Sequence, residues 1–416
     1  MAVSDDDIVD AYLYLLGRFL VLRQENHDIR VEQAGYNTIK YNPLGAEAAE
    51  FVNPNLDVAY LEAWIAVDPD HAVVMNVPPV VDRYYTVQIL DGWGEVIANV
   101  NQRTYPDHPH GQVAFVLAGT SPPVPDGAVR IDLPAAKTKI LARVELAGDP
   151  GEALHLQRQF TLDVPDGIGV EPPVQVPDFT NSALLGPEIF TLSPQVLASY
   201  PDAMPSAAQH QGTVARVVAE MTTASGAQRV ADVIGTKAVP AFFAGAKGFG
   251  RHEGGWSVSY AAGRFGDDIL ARDIINFGGL WANTTDEAIY FVGLTDATGT
   301  LLDGSRTYEV RFPADALPGS VVGAFWSCTL YSVPDYHVVP NSIDRWNLNS
   351  TMPLKHNPDG SLSLWLAPQQ PEAAPQPNWL PTPAGQGFAL TLRLYVSKPE
   401  VLDGRWFPPP LTTGLV

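Results

Sequence analysis

Carboxylates set among aromatic residues are the first feature of this sequence that could do chemistry. Asp57 and Glu62 lie in the segment NPNLDVAYLEAW, and Asp91 lies in the segment ILDGW. Two buried carboxyls can act as general acid and general base when their surroundings hold their pKa values apart. We therefore take Asp57 and Asp91 as candidate catalytic residues. Glu62 shares a strand face with Tyr60 and Trp64 and is predicted to face solvent.

The alternative for both candidate acids is a structural role. Asp57 directly precedes a predicted strand, and Asp91 precedes Gly92 at a strand end. At such positions Asp side chains commonly hydrogen-bond to neighbouring backbone groups. Arg83 and Arg345 could also pair with such acids and tie loops together. The sequence leaves the catalytic and the structural interpretations open.

A set of polar and aromatic residues from both halves of the chain could form a small-molecule pocket. Aromatic faces supply apolar contact, and a few polar groups fix the orientation of a ligand. The predicted substrate-binding residues are Tyr60, Trp64, Arg83, Tyr85, Trp326, Tyr331, Asn341, Arg345, Trp379 and Arg393. For Trp379 the alternative is a packing role.

Metal and nucleophilic chemistry have weaker support in the sequence. His108 and His110 in YPDHPHG have a spacing that suits two imidazole ligands, but no third histidine lies nearby, so no metal is predicted. There is no G-x-S-x-G motif and no phosphate-binding motif, and we predict no cofactor. The single cysteine, Cys328, alternates with Trp326 and Leu330 along a strand, which predicts a buried and inert thiol.

Strands must position most of these residues. From about residue 50, and again from about residue 288, short segments alternate between apolar and polar residues and are separated by Pro, Gly and Asp. This pattern is typical of antiparallel sandwiches. In FALTLRLYV, Thr391, Arg393 and Tyr395 share a polar face that is predicted to meet solvent or a ligand. Residues 4–22 have helical spacing and are expected to pack against a sheet.

Composition limits the classes of function. The chain has 416 residues, of which 46% are hydrophobic, so it can form more than one core. Its formal net charge is −21, which disfavours nucleic acid and anionic membranes as partners. No stretch approaches the roughly 20 apolar residues of a membrane span. The N-terminus lacks the basic segment of a secretory signal, so we expect a cytoplasmic protein.

The chain resembles a bacterial two-domain family whose halves are catalogued as domains of unknown function 1254 and 1214. The resemblance lies in NPNLDVAYLEAW and RYYTVQILDGW in the first half, and in FWSCTLYS, VPNSIDRW, HNPDGSLSLWL, NWLPTPAGQGFALTLRLY and GRWFPPP in the second. It implies a tandem of jelly-roll-like β-sandwich domains and supplies no activity. The family typically has two Asn before the Asp of the first motif and a Thr after it. Here Leu56 and Val58 flank Asp57, which predicts a different or less polar ligand.

These observations predict a mainly β fold of two tandem jelly-roll-like antiparallel β-sandwich domains. We predict an N-terminal sandwich with a leading helix over residues 1–165, a proline-rich linker and helical junction over 166–255, and a C-terminal sandwich over 256–416. The predicted function is a cofactor-independent enzyme of the hydrolase or lyase type, acting by acid/base chemistry on a small organic molecule between the domains. The alternatives are a non-catalytic small-molecule or glycan-binding protein, and a jelly-roll assembly protein that forms homo-oligomers.

Overall fold

Helix α1 (Asp5–Asn26) begins with a capping box formed by Ser4 and Asp7. In the computed structural model, which describes residues 3–45, 54–334 and 336–413, the Asp7 backbone N–H donates to the Ser4 hydroxyl at 3.0 Å. The Asp7 carboxylate accepts from the Ser4 backbone N–H at 2.9 Å. Both contacts satisfy N–H groups that a helix start otherwise leaves unpaired. A π-helical turn, His27–Val31, ends the helix.

Seven further α-helices lie within the described ranges, and five of them build a bundle around α1. The seven are α2 (Pro150–Gln159), α3 (Glu188–Ser199), α4 (Ala207–Glu220), α5 (Ala224–Val233), α6 (Val239–Lys247), α7 (Ile269–Gly278) and α8 (Pro399–Leu402). Helices α3, α4, α5 and α7 pack on α1 and share one apolar core with it. The expectation that α1 packs against a sheet holds only in part, since Val21 packs with Trp64 and Leu90 of a sheet while helices cover most of α1. The helix is apolar on most of its circumference, and other helices cover it.

Nine strands of the described ranges form the first sandwich. They are β1 (Lys40–Tyr41), β2 (Val58–Ala66), β3 (Val73–Val77), β4 (Tyr85–Leu90), β5 (Val96–Val100), β6 (Gly111–Leu117), β7 (Val129–Leu133), β8 (Lys137–Glu145) and β9 (Thr161–Asp163). A five-stranded sheet has the order β1-β2-β8-β4-β5, and a four-stranded sheet has the order β7-β6-β3-β9. One face of β2, formed by Leu61, Ala63 and Ile65, lies in the core that the two sheets share.

The second sandwich follows the helices. Its strands are β10 (Arg251–Glu253), β11 (Trp256–Val258), β12 (Ala288–Gly293), β13 (Tyr308–Phe312), β14 (Trp326–Ser332), β15 (Asn347–Asn349), β16 (Leu362–Ala367), β17 (Trp379–Pro381), β18 (Phe388–Tyr395) and β19 (Thr412–Thr413). A six-stranded sheet has the order β10-β11-β12-β18-β14-β15, and a four-stranded sheet has the order β17-β16-β13-β19. Cys328 is buried in their common core, and burial raises the pKa of its thiol to about 12.

The helical bundle draws on three separate parts of the chain. Helix α1 precedes the first sandwich, α3 to α6 lie between the sandwiches, and α7 is inserted between β11 and β12. Helix and strand occupy equal shares of the chain, so the description as mainly β holds for the two sandwiches and not for the whole protein. None of the helices within the described ranges is long and apolar enough to cross a bilayer.

Candidate functional site

The two sandwiches meet through the polar faces of their largest sheets. Strand β18 turns its leucines into its own core, which leaves Thr391, Arg393 and Tyr395 on the opposite face. This face is covered by the first sandwich, not by solvent, and Arg393 is only 2% exposed. The Arg393 guanidinium donates to the Thr329 hydroxyl at 3.1 Å and lies 5.5 Å from the centroid of the Tyr331 ring. The prediction of a solvent or ligand face is therefore replaced by a buried domain interface.

A buried ion pair fixes the two sandwiches to each other. Glu287, which directly precedes β12, is 3% exposed. Its carboxylate accepts hydrogen bonds from Arg103 at 2.6 and 2.8 Å, from the Asn101 amide at 3.0 Å and from the Tyr84 hydroxyl at 3.0 Å. All three donors belong to the first sandwich. Charge-assisted bonds of this kind hold a defined geometry, so the interface has a fixed register.

The segment that leads into β2 reaches across this interface. The carbonyl oxygen of Pro54 accepts a hydrogen bond from the Tyr331 hydroxyl at 2.5 Å. The Asn55 amide donates to the Tyr395 hydroxyl, and the Asn55 side-chain oxygen accepts the backbone N–H of Asp57 at 2.9 Å. The same short segment therefore joins the domains and places Asp57 at their boundary.

Asp57 has one carboxylate oxygen fixed and the other without a partner. Its Oδ1 accepts from Asn347 at 2.6 Å and from Asn349 at 2.8 Å, both on β15. Its Oδ2 is buried and completes no hydrogen bond with a described residue. Burial raises the pKa of Asp57, although the nearby Ser327 hydroxyl, the two amides and the positive charge of Arg393 favour the charged form. A carboxyl that is held in place and keeps one oxygen available suits proton transfer.

Asp57 lines a cavity of about 140 Å³ between the sandwiches. Engineered apolar cavities of about 150 Å³ hold a molecule of the size of benzene. The described lining residues are Leu56, Asp57, Glu145, Leu146, Ala147, Gly148, Pro150, Phe325, Asn347, Asn349 and Thr351. They combine two carboxyls and two amides with an apolar wall, which is the usual composition of a small-molecule site.

Glu145 is the second carboxyl of the cavity. It ends β8 and pairs in register with Val58 of β2, which brings it beside Asp57. Its Oε2 accepts the backbone N–H of Tyr84 at 2.9 Å. Burial raises the pKa of Glu145, and the negative charge of Asp57 adds to this effect. No local sequence signal singles out Glu145, because only the register between β2 and β8 places it here.

Arg83 supports the loop next to this carboxyl. Its guanidinium donates to the main-chain carbonyl oxygens of Glu145 at 3.0 Å and Leu146 at 3.2 Å. The arginine is not one of the described lining residues of the cavity. Its contacts agree with the predicted alternative, in which it ties loops together.

Asp91 lies at the opposite end of the five-stranded sheet. Strands β2 and β4 both begin beside the end of β8, whereas Asp91 follows the last residue of β4. The six residues of β4 separate the two acids by about 20 Å. Asp91 accepts the backbone N–H groups of Trp93 and Glu95, each at 2.8 Å, and burial raises its pKa to about 7. The structure therefore does not pair Asp91 with Asp57, and these bonds are those of a turn-bracing residue.

Tyr60, Tyr331 and Arg393 of the predicted binding set lie at the domain interface without lining the cavity. Arg143, which the sequence did not single out, is buried there, with its guanidinium 5.4 Å from the centroid of the Tyr60 ring. These residues bring aromatic and cationic groups together. They pack the interface next to Asp57 and do not form the surface of the cavity.

Tyr85 and Trp326 point into the sandwich cores and are not available to a ligand at the interface. The Tyr85 hydroxyl donates to the carbonyl oxygen of Pro109. Strand alternation separates Trp326 from Tyr331, because residues an odd number of positions apart face opposite sides of a sheet. Trp326 and Tyr331 therefore cannot share one binding surface, and the prediction that Trp326 binds a ligand at the interface is wrong.

Trp64 belongs to a buried charge cluster elsewhere on the five-stranded sheet. Its indole N–H donates to Asp28 at 2.8 Å, and Lys139 lies 2.9 Å from Asp28 and 2.6 Å from Glu62. Burial opposes ionisation of Glu62, but Lys139, Asn42 and Lys40 together lower its pKa. The prediction that Glu62 faces solvent is wrong, since this side chain completes an ion-pair cluster and is 15% exposed.

Asn341, Arg345 and Trp379 brace loops of the second sandwich. Arg345 donates to the main-chain oxygens of Gln376 at 2.6 Å and Trp379 at 2.8 Å. The Asn341 amide donates to the Arg345 carbonyl at 2.7 Å, and the Trp379 indole donates to the carbonyl of Ala367 at 2.9 Å. All three side chains donate to main-chain oxygens of their own sandwich.

His108 and His110 are exposed on the loop before β6. Within residues 3–45, 54–334 and 336–413, no group of three or more His, Cys, Asp or Glu side chains could hold a metal ion. The two histidines therefore do not acquire a third ligand from the described part of the chain.

The fold and the cavity define a class of protein with two tandem β-sandwiches, a helical bundle and an acidic cavity at the domain interface. The family described as Protein of unknown function (DUF1254) matches residues 36–164, and Protein of unknown function (DUF1214) matches residues 287–399. The chain therefore carries the N-terminal and C-terminal halves of the two-domain family that its sequence resembles, which confirms that prediction.

The same fold is found in a solved structure. The VPA0106 protein from Vibrio parahaemolyticus aligns with a TM-score of 0.72 and 21% identity, over 99% of this chain and 100% of that chain. A putative uncharacterized protein from Burkholderia cenocepacia gives a TM-score of 0.49 and 14% identity, over 91% of this chain and 84% of that chain. The comparison with curated proteins gave no match.

Proposed function

We propose that this protein is a cofactor-independent enzyme of the hydrolase or lyase type that acts on a small organic molecule in the cavity between its sandwiches. Asp57 is the residue that takes up and returns the proton. The observation that supports this role is its carboxyl geometry: the side chain is 4% exposed, Oδ1 is held by two amides, and Oδ2 has no partner among the described residues. Fixed orientation lowers the cost of bringing a catalytic group to its substrate.

Glu145 supplies the second carboxyl that acid/base chemistry needs. Ionisation of Asp57 makes ionisation of Glu145 harder, because the two negative charges share one buried site. Such a pair loses its protons in two separate steps and can hold one proton while the other carboxylate acts as base. Hydrolysis and elimination both use this combination of an acid and a base.

A second candidate is a small-molecule binding protein without turnover. In its favour, the described cavity lining contains no Ser, Cys, Lys or His that could serve as a nucleophile. Glycan binding has less support, because the aromatic residues Trp64 and Trp326 are 4% and 3% exposed and offer no platform. The jelly-roll-like connectivity, the cytoplasmic location and homo-oligomer formation stay predictions, the last of which light scattering would test.

The enzyme proposal is tested with a panel of small esters, amides and β-substituted carbonyl compounds, followed by NMR. The wild type, Asp57→Asn and Asp315→Asn are compared, since Asp315 is an exposed Asp outside the cavity. We expect conversion of at least one compound, a loss of at least about a hundredfold in kcat for Asp57→Asn, and no change for Asp315→Asn. Undiminished kcat in Asp57→Asn contradicts the proposal, and binding without turnover in the wild type supports the second candidate.

A further inference from the structure

We infer that the ligand of the cavity is a small organic cation, such as a primary amine in its ammonium form, held between Asp57 and Glu145. The inference rests on the proposed site at Asp57 and adds the chemical class of its ligand. An ammonium group presents three N–H donors and a positive charge. It therefore complements two carboxylates that share one buried cavity.

The missing ion-pair partner of these two acids is the first support, although Arg393 and Arg83 lie near enough to lower their pKa values. Within the described ranges, neither Asp57 nor Glu145 forms an ion pair, whereas other buried carboxylates do. Asp28 pairs with Lys139 at 2.9 Å, Asp202 with Arg272 at 3.0 Å and Glu287 with Arg103 at 2.6 Å. A buried carboxylate without a partner is costly, and a cationic ligand removes that cost.

Two further buried acids lack an ion pair in the described chain, namely Asp91 and Asp273. Neither of them is among the described lining residues of the cavity. Asp91 is held by backbone N–H groups in its turn. Asp57 and Glu145 thus differ from both, because they adjoin space that a ligand can fill.

The nearby arginines lie outside the described lining of the cavity. Arg83 donates to main-chain carbonyl oxygens, and Arg393 donates to Thr329 and lies over the Tyr331 ring. Neither belongs to the described cavity lining, which contains no Lys, Arg or His. A carboxylate or phosphate ligand would meet two acids and no basic partner, so the cavity discriminates against anions.

Phe325 provides an aromatic wall for a cation. It lines the cavity, is 3% exposed and is stacked on Tyr395 with ring centroids 4.1 Å apart. Cations bind favourably over aromatic faces, the more so where water is excluded. Leu56, Leu146 and Pro150 offer contact to the hydrocarbon part of an amine. The cavity volume of about 140 Å³ suits a hydrocarbon part of a few carbon atoms.

The test compares three probes of one carbon skeleton: isobutylamine, isobutanol and isobutyrate. Their binding to the full chain is measured by calorimetry at about pH 8, where an aliphatic amine with a pKa of about 10 is still cationic. We expect isobutylammonium to bind at least about tenfold more tightly than isobutanol and isobutyrate not to bind. Asp57→Asn and Glu145→Gln should each weaken ammonium binding about tenfold, and Glu372→Gln, at an exposed site, should leave it unchanged.

Thr351→Lys keeps the test decisive if a variant of a buried acid fails to fold. Thr351 is exposed at the cavity, so a lysine there can place its own ammonium group beside the carboxylates. We expect this variant to keep its unfolding midpoint and lose isobutylammonium binding. The inference is overturned if none of the probes binds, if isobutanol binds as tightly as isobutylammonium, if isobutyrate binds, or if Thr351→Lys changes nothing. Ammonium binding without turnover removes only the enzyme proposal, and Asp57-dependent turnover of a neutral or anionic substrate removes only the inference.

Discussion

The side-chain amide of Asn347 lies 2.6 Å from Oδ1 of Asp57, so a residue of the second sandwich orients the candidate acid of the first. Asn349 repeats this contact at 2.8 Å, and its own side-chain oxygen accepts the Thr351 hydroxyl at 2.8 Å. Three consecutive odd-numbered positions of the second sandwich therefore support one carboxylate of the first. The geometry of the site depends on the docking of both domains.

A double-mutant cycle measures this dependence. We expect Asn347→Ala to lower the free energy of unfolding by about 1–3 kcal/mol, because the buried carboxylate loses a donor. The same change in an Asp57→Asn background should cost less, with a coupling of about 1 kcal/mol or more in urea unfolding. Strictly additive effects of the two substitutions would show that the contact contributes nothing specific.

Glu287→Gln should destabilise the protein strongly. The substitution leaves the partly buried Arg103 without its carboxylate and turns an amide group towards the Asn101 amide. Breaking a buried ion pair typically costs about 3–5 kcal/mol. We expect a loss of about 3 kcal/mol in chemical unfolding. The neighbouring Asp286→Asn is the matched control, since Asp286 and Arg264 are exposed and 4.0 Å apart, and it should have little effect. Equal effects of the two variants would contradict the role of Glu287 as the interface anchor.

The faces of single strands could be predicted from the sequence, because alternation is a local property. Leu390, Leu392 and Leu394 mark the core side of β18, and Arg393 therefore lies on the other side. What covers that other side could not be predicted, since a polar face looks the same whether it meets water or a second domain. The family resemblance gave the order of the two domains but not the contact between their sheets.

The candidate site could be predicted only in part for the same reason. Asp57 stands out because it precedes a strand within a motif that resembles the family. Glu145 does not stand out, because its place beside Asp57 follows from the pairing of two strands far apart in the chain. Register is fixed by packing of whole faces and not by neighbouring residues. Asp91 was misplaced as a partner because proximity in sequence to β4 says nothing about which end of the sheet it occupies.

Asp91 should make stability fall as the pH rises. In the folded protein its carboxyl keeps a proton to about pH 7, whereas in the unfolded chain it loses that proton near pH 3.8. The folded state binds more protons between these values, so its stability falls over this window by an amount on the order of 4 kcal/mol. Asn at position 91 keeps an oxygen for the N–H groups of Trp93 and Glu95.

The measurement compares unfolding free energies of the wild type and Asp91→Asn from about pH 4 to pH 8. The free energy of unfolding of Asp91→Asn should rise relative to that of the wild type as the pH rises. The free energy of unfolding of Asp315→Asn should follow that of the wild type throughout. Arg18, Tyr200, Glu95 and Asp202 are the charged or titratable groups near Asp91, and burial raises the pKa of Tyr200 further above this range. A difference that is constant with pH would show that Asp91 ionises normally in the folded protein.

Affinity for an ammonium ligand should rise with pH if Asp57 and Glu145 hold it. Burial raises the pKa of both carboxyls, and a protonated carboxyl attracts a cation less than a carboxylate does. The other groups facing them are Arg83, Arg393, Cys328 and Tyr331, and burial raises the pKa of the last two further above neutrality. Between about pH 5 and pH 8 the change in affinity therefore reports on the two acids.

Calorimetry with isobutylamine across this range should show an affinity that increases with pH until both carboxyls are ionised. The affinity should increase at most tenfold per pH unit for each proton released. In Asp57→Asn the rise should move to lower pH, because the charge of Asp57 no longer raises the pKa of Glu145. Glu372→Gln should reproduce the wild-type curve. An affinity that is flat or falls over this range would mean that the two acids are not the groups that bind the cation.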